Sequence, residues 1–269
     1  MAAINAASPV TSWYTPGVIG ADISAYQQIT ASLDTYYASL SGNVMAVSMN
    51  VFSVVSPPTD YEAGLWITQD IAGYNAATPA PTFPGTDPDT QFTQLDPTSA
   101  ISTTLATSGA KFEISGKRMV AWNAAGDLFL AEDYTTGTWT ETVPNTAGSE
   151  VIYASIWGNA VAVALPDSIK LIQDAFAEVS IELIFGLPAD LGTTSVSLSG
   201  PFLAVTTQDI ANSNAPQIWV QDLRTLGDEL SLVEVPVPTA DGWTNQNNEP
   251  VIVSIFYNQM MVTFVDVRN

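Results

Sequence analysis

Ser155-Ile156-Trp157-Gly158, with Val161-Ala162-Val163 after it, returns 42 residues later as Ser197-Leu198-Ser199-Gly200 with Leu203-Ala204-Val205. The same distance upstream stands Glu113-Ile114-Ser115-Gly116 with Met119-Val120-Ala121. Ser39-Leu40-Ser41-Gly42 with Met45-Ala46-Val47 opens the series, and an altered copy, Ser254-Ile255-Phe256-Tyr257 with Met260-Met261-Val262, closes it. The steps from glycine to glycine, with Tyr257 in the last place, are 74, 42, 42 and 57. Self-similarity at a fixed period in this range marks a repeat architecture.

Around each copy lie short apolar runs rich in β-formers. A second run follows each of the first four turns and ends in Gln-Asp or Glu-Asp: Leu65-Trp66-Ile67 before Gln69-Asp70, Leu128-Phe129-Leu130 before Glu132-Asp133, Ile169-Lys170-Leu171 before Gln173-Asp174, and Ile218-Trp219-Val220 before Gln221-Asp222. Further runs at 92–95, 139–143, 179–184 and 230–235 complete the unit. Short runs with turn signals between them read as strands. An antiparallel unit of four strands in about 42 residues is a blade, so the fold class is all-β. The expected architecture is a single β-propeller domain over 1–269, of five blades with four antiparallel strands each. The fifth copy leaves room for only two strands, 250–256 and 260–266, and residues 1–30 are expected to complete it, with a strand at Thr11-Ser12-Trp13-Tyr14 and another over 23–29. Pairing the two chain ends in one blade removes an open sheet edge. Ala2-Ala3-Ile4 also resembles the second-strand motif, and the step of 74 has room for a degenerate unit, so six blades is the alternative count. No long helix is expected, and Leu171 to Leu183 fits a hairpin as well as a helix.

Of the 269 residues, 27 are acidic and 6 basic, a formal charge of −21, and there is no histidine or cysteine. That removes Ser-His-Asp and Cys-His nucleophiles, imidazole and thiolate metal ligands, and disulfides. Nucleic acid and anionic membranes are repelled, so neither is an expected partner. Val44 to Val55 is interrupted by Ser48, Asn50 and Ser53, and no run reaches the length of a membrane span. No Lys or Arg precedes Lys111, so no basic n-region of a secretory signal is present, and a cytoplasmic or virion-associated location is expected. With 46% hydrophobic and 12% charged residues, the surface is expected to be mostly hydroxyl and amide.

In a propeller, the Ser-Gly turns and the Gln-Asp turns share one face. Asp70, Asp133, Asp174 and Asp222 are then expected to close Asx-type turns, with a carboxylate ring for cations or sugar hydroxyls as the functional alternative. The opposite face carries longer excursions at 51–63, 97–110 and 236–249, and long loops on a rigid scaffold carry binding. The candidate ligand site is the last of these, Asp241, Trp243, Asn245, Asn247 and Asn248, which pairs a stacking surface with amide and carboxylate groups suited to a sugar. Trp66, Trp139 and Trp219 sit at periodic strand positions and are expected to pack. Asp87-Pro88-Asp89 lacks the oxygen ligands of a calcium loop, so neither metal nor cofactor is expected. A glycosidase built on two carboxylates is the one enzyme class the composition favours, but the innermost strands carry a single acid, Glu113.

The Ala2 to Ala7 opening, with Gln217 to Asp222, Asp127 to Leu130 and Gly137-Thr138-Trp139-Thr140, resembles the repeats of fungal fucose-specific lectin-type propellers. The Ser-Gly and Leu-Ala-Val pattern equally resembles FG-GAP-like repeats. Both likenesses imply a binding propeller rather than an enzyme. Their sites do not carry over: Trp66, Phe129 and Trp219 stand near the place of the lectin arginine, and the acidic calcium motif is absent. The expected function is a non-enzymatic, carbohydrate-binding module. The alternative is a structural or receptor-binding part of a larger assembly, such as a virion spike or capsid-associated protein, and the third reading is a hydrolase. The expected partner is thus a glycan or a protein, with a homo-oligomer or larger assembly compatible.

Overall fold

The computed structural model describes residues 3–4, 13–15, 27–28, 35–49, 52–55, 58–61, 63–77, 84–108, 110–143, 150–178, 182–187, 189–211, 215–225, 233–235, 252–256 and 259–263. The chain divides into two compact units, Met1–Ala124 with Phe129–Glu141, and Ala125–Leu128 with Thr142–Asn269.

In the first unit, β1 (Ala3–Ile4), β2 (Trp13–Thr15) and β3 (Gln27–Gln28) form a three-stranded antiparallel sheet with β2 in the middle. The Ala2-Ala3-Ile4 stretch, on which the six-blade count rests, therefore does contribute a strand, and the Trp13 strand has a neighbour on each side. Next come β4 (Thr35–Ser41), β5 (Val44–Met49), the hairpin β6 (Phe52–Val55) and β7 (Pro58–Tyr61), then β8 (Gly64–Thr68) and β9 (Thr93–Gln94). They make a four-stranded sheet in the order β4-β5-β8-β9, with β6-β7 as a separate two-stranded sheet. The expected excursion at 51–63 is thus a hairpin inserted between the second and third strands. The next sheet runs β10 (Lys111–Ser115), β11 (Arg118–Trp122), β12 (Leu128–Ala131) and β13 (Glu141–Val143).

The second unit repeats the plan. β14 (Tyr153–Trp157), β15 (Ala160–Leu165), β16 (Ser168–Ile172) and β17 (Glu182–Gly186) form one sheet in chain order. β18 (Leu191–Ser199), β19 (Phe202–Asp209), β20 (Ala215–Asp222) and β21 (Val233–Val235) form the next. β22 (Ile252–Phe256) and β23 (Gln259–Thr263) pair as a two-stranded sheet. The molecule is all-β in plan, and its ladders are antiparallel, as the repeat implied.

Packing explains why the strands read as apolar runs rather than as an alternation. One face of β5 and β8, with Met45, Val47, Met49 and Trp66, packs with Tyr74 and Phe92. The other face, with Ala46, Leu65 and Ile67, packs on Phe112, Ile114, Met119 and Ala121 of the following sheet. A sheet covered on both sides has no solvent face to record as polar positions. In the second unit Ala162, Ala164, Ile169 and Leu171 meet Val196, Leu198, Leu203 and Val205 in the same way.

Two short helices were not expected. α1 (Ile71–Ala76) is N-capped by Asp70, whose carboxylate accepts from Gly73 N–H, and α2 spans Ala100–Ser108. Residues 97–110 are consequently not an irregular loop: Ile101 and Leu105 enter the core between two sheets. The Trp139 indole N–H donates to Thr104 Oγ1 on α2 (3.3 Å), and its ring lies 5.5 Å from that of Phe129. Trp66 is buried, and Trp219 packs on the second-unit core and donates to Thr207 Oγ1 (2.9 Å), so these strand tryptophans serve packing.

Candidate functional site

The recurrent Gly sets the first turn. Gly42, Gly116, Gly158 and Gly200 have φ of 60°, 61°, 60° and 56°, and an added Cβ would meet nothing within 4 Å at any of them. Glycine is needed there for the left-handed backbone and not for space.

The recurrent Ser does a second job. β4, β10, β14, β18 and β22 are each the first strand of their sheet, so one edge of each has no ladder partner within it. Buried amides on such an edge need an acceptor. Ile114 N–H donates to Ser39 Oγ (3.1 Å), Leu198 N–H to Ser155 Oγ (3.0 Å), and Ile255 N–H to Ser197 Oγ (3.0 Å). In every case the serine lies three residues before its turn position, and the amide lies two before the turn position of the next repeat. Gly116 N–H donates to Ser41 Oγ as well (3.3 Å). The hydroxyls of Ser39, Ser155 and Ser197 are thus latches between successive sheets. Glu113, the one acid among β4, β10, β14, β18 and β22, occupies the same slot in its own repeat.

The recurrent Asp belongs to a third device. The amide after each Asp donates to the carbonyl of the residue after each turn position: Ile71 to Asn43 (2.9 Å), Tyr134 to Lys117 (2.9 Å), Ala175 to Asn159 (2.8 Å) and Leu223 to Pro201 (2.6 Å). The side chains reinforce this tie. Asp70 accepts from Asn43 Nδ2 (2.6 Å), Asp133 from Lys117 Nζ (3.4 Å), and Asp174 from Asn159 Nδ2 (3.2 Å). Pro201 has no side-chain donor, and there Asp222 takes the Arg224 guanidinium instead (2.7 Å). Asp133 and Asp222 also accept the amides of Thr135 and Arg224, two residues on (3.0 Å each), the local closure expected of an Asx turn, whereas Asp70 accepts that of Gly73, three residues on (2.9 Å), as the N-cap of α1.

These bonds favour the ionised carboxylates. Gly73 N–H and then Asn43 hold Asp70 below the usual carboxylate range, the Thr135 hydroxyl does most for Asp133, and the Arg224 guanidinium for Asp222. No group of three or more acidic residues that could hold a metal occurs among the described residues. The sequence signal for the whole device was the Asn, Lys, Asn, Pro series after the turn glycines, in phase with the Asp series.

Asp241, Trp243, Asn245, Asn247 and Asn248, the candidate ligand site, lie outside the described residues. Asp87 accepts the Asp89 amide (3.0 Å) and its carbonyl takes those of Thr90 and Gln91, so this segment is a closed turn. None of the described helices is long and apolar enough to cross a membrane.

No family model matches the chain, and no curated protein matches it. Among solved structures, the N-terminal domain of Nup159 aligns over 75% of this chain and 48% of its own length, at 13% identity and a TM-score of 0.45. BamB from Moraxella catarrhalis aligns over 84% of this chain and 61% of its own, at 14% identity and a TM-score of 0.44. YCF48 bound to D1 peptide aligns over 83% and 63%, at 10% identity and a TM-score of 0.43. The chain spans about half the length of the Nup159 domain. Likeness at TM-scores of 0.43 to 0.45 decides neither architecture nor activity. The described architecture stands on the repeated sheets and their latches.

Proposed function

We propose that the chain is a non-enzymatic binding protein built as a β-propeller of five or six blades, with its ligand held by loops and not by the recurrent polar residues. The supporting observation is that the recurrent Ser and Asp side chains are engaged in sheet latches and turn closure. A carboxylate-pair hydrolase needs two opposed acids about 5 to 9 Å apart, whereas the innermost strands supply Glu113 in a serine slot.

For the ligand, the composition of the 241–249 segment favours a glycan, since Trp243 supplies a stacking face in sequence with Asn245, Asn247 and Asn248. A glycan array with the full chain tests this. The expected result is binding to a restricted set of sugars that disappears in Trp243→Ala, and an array with no hit at high protein concentration overturns the carbohydrate reading. A second reading, a part of a larger assembly, is favoured by three exposed isoleucines of the second unit, Ile152, Ile184 and Ile210, at 36%, 65% and 61% exposure. Light scattering alone and with candidate partners reads it, and a chain that stays a solitary monomer throughout counts against it. Turnover of a glycoside that is lost in Glu113→Gln would overturn the binding reading as a whole.

A further inference from the structure

Two of those isoleucines are held at the same end of the second-unit sheets, the end away from the glycine turns. Ile152 precedes β14, and its N–H donates to Ala164 O (2.9 Å), while Tyr153 already faces Ala164 in the ladder. That bond fixes the backbone of Ile152 at the end of the ladder, where its side chain is exposed. Ala164 and Leu165 lead into the Pro166-Asp167 turn between β15 and β16. β18 leans on that turn: Thr193 N–H donates to Pro166 O (3.2 Å), and its hydroxyl donates to Leu165 O.

Ile210 reaches the same place from the β19–β20 connection. A Cβ added to Gly192 would lie 3.5 Å from Ile210 Cδ1 and 4.0 Å from Pro166 O, so the Ile210 side chain lies over Gly192, beside the turn. Its backbone is fixed, since Ile210 N–H donates to Asp190 O (2.7 Å) and Ala211 N–H to Asp209 Oδ1 (3.0 Å).

The rim is acidic. Glu150, Asp167 and Asp190 are exposed here. The basic side chains described in this unit are engaged elsewhere, Lys170 with Glu182 (2.8 Å) on the outer strands and Arg224 with Asp222 (2.7 Å) at the glycine-turn end. Fixed aliphatic groups inside a one-sign rim suit a partner that brings apolar side chains and the opposite charge.

We propose that this end of the second unit docks a protein segment in which aliphatic side chains alternate with lysine or arginine. The aliphatic side chains would cover Ile152 and Ile210, and the cations would face Glu150, Asp167 and Asp190. The proposal rests on the binding-protein reading and names a partner class for its assembly form.

The test uses the full chain and a fluorescent synthetic peptide of alternating lysine and leucine, read by anisotropy, with oligolysine of equal charge as control. The expected result is binding that falls about tenfold or more in the Ile152→Ser/Ile210→Ser double variant and for oligolysine, because truncated central anchors dominate such losses. Asp167→Asn/Asp190→Asn weakens it in low salt, and Ile184→Ser, on an outer strand, leaves it unchanged. The chain has no cysteine, so Ala211→Cys, exposed beside Ile210, gives a single labelling position whose dye must respond to the peptide. Three results overturn the proposal: no peptide binding, equal binding by wild type and the double isoleucine variant, or a silent dye at position 211. A positive glycan array beside any of these removes this proposal while the binding reading stands.

Discussion

At the scale of single residues, the serine latches make the sharpest prediction. A buried amide left without its acceptor costs about 1–3 kcal/mol, so Ser155→Ala and Ser197→Ala are each expected to lower the unfolding free energy by that amount in urea titration. An unchanged midpoint would show that the hydroxyls are decoration. Tyr74 behaves oppositely. Its ring packs edge-on against Phe92 at 5.1 Å, and its hydroxyl has no hydrogen-bond partner among the described residues, while burial pushes its pKa well above the ordinary tyrosine value. Tyr74→Phe is expected to be neutral or to stabilise by up to about 1 kcal/mol; a clear loss of stability would reveal a partner for the hydroxyl. The recurrence of Ser39, Ser155 and Ser197 was plain in the sequence. Their purpose was not, because each bonds an amide 75, 43 or 58 residues further on.

At the scale of elements, strands were legible and helices were not. β5, β11, β15 and β19 coincide with the apolar triplets after each turn, since period and turn chemistry are local properties. α2 reads Ala-Ile-Ser-Thr-Thr-Leu-Ala-Thr-Ser, and β-branched and hydroxyl residues make a weak helix former. It is held by tertiary packing, with Ile101 and Leu105 wholly buried. Leu105→Ala is therefore expected to cost about 2–5 kcal/mol, whereas Thr107→Ala, at an exposed position of the same helix, should stay within about 0.5 kcal/mol. Thermal melts of the two variants check this, and similar losses would contradict the packing origin of the helix. The 241–249 segment belongs to no repeat, so its residue types were the part legible in the sequence.

For the molecule as a whole, pH sensitivity follows from the turns. Asp70, Asp133 and Asp222 have folded pKa values below the ordinary 3.8, so their share of stability is complete above that value and is lost as pH falls through the lower folded values. The mutual repulsion of a chain carrying −21 relaxes over the same acid range, so the two effects oppose one another. They separate by variant: the triple Asp→Asn protein should lose less stability between about pH 5 and 2.5 than the wild type. Parallel acid limbs in denaturant titrations would remove the turn carboxylates as the cause. At neutral pH, added salt should raise the melting temperature of both.

The latches also have a direction. In each one the hydroxyl that accepts belongs to the earlier repeat and the amide that donates to the later, as at Ser39 and Ile114, Ser155 and Leu198, and Ser197 and Ile255. A chain leaving the ribosome from its N-terminus would present each receiving group before the strand it must capture has been synthesised, since domains form in the order of their emergence. The direction of the latches therefore predicts an order of assembly along with a shape: each sheet, once formed, would offer the acceptors that the next one needs.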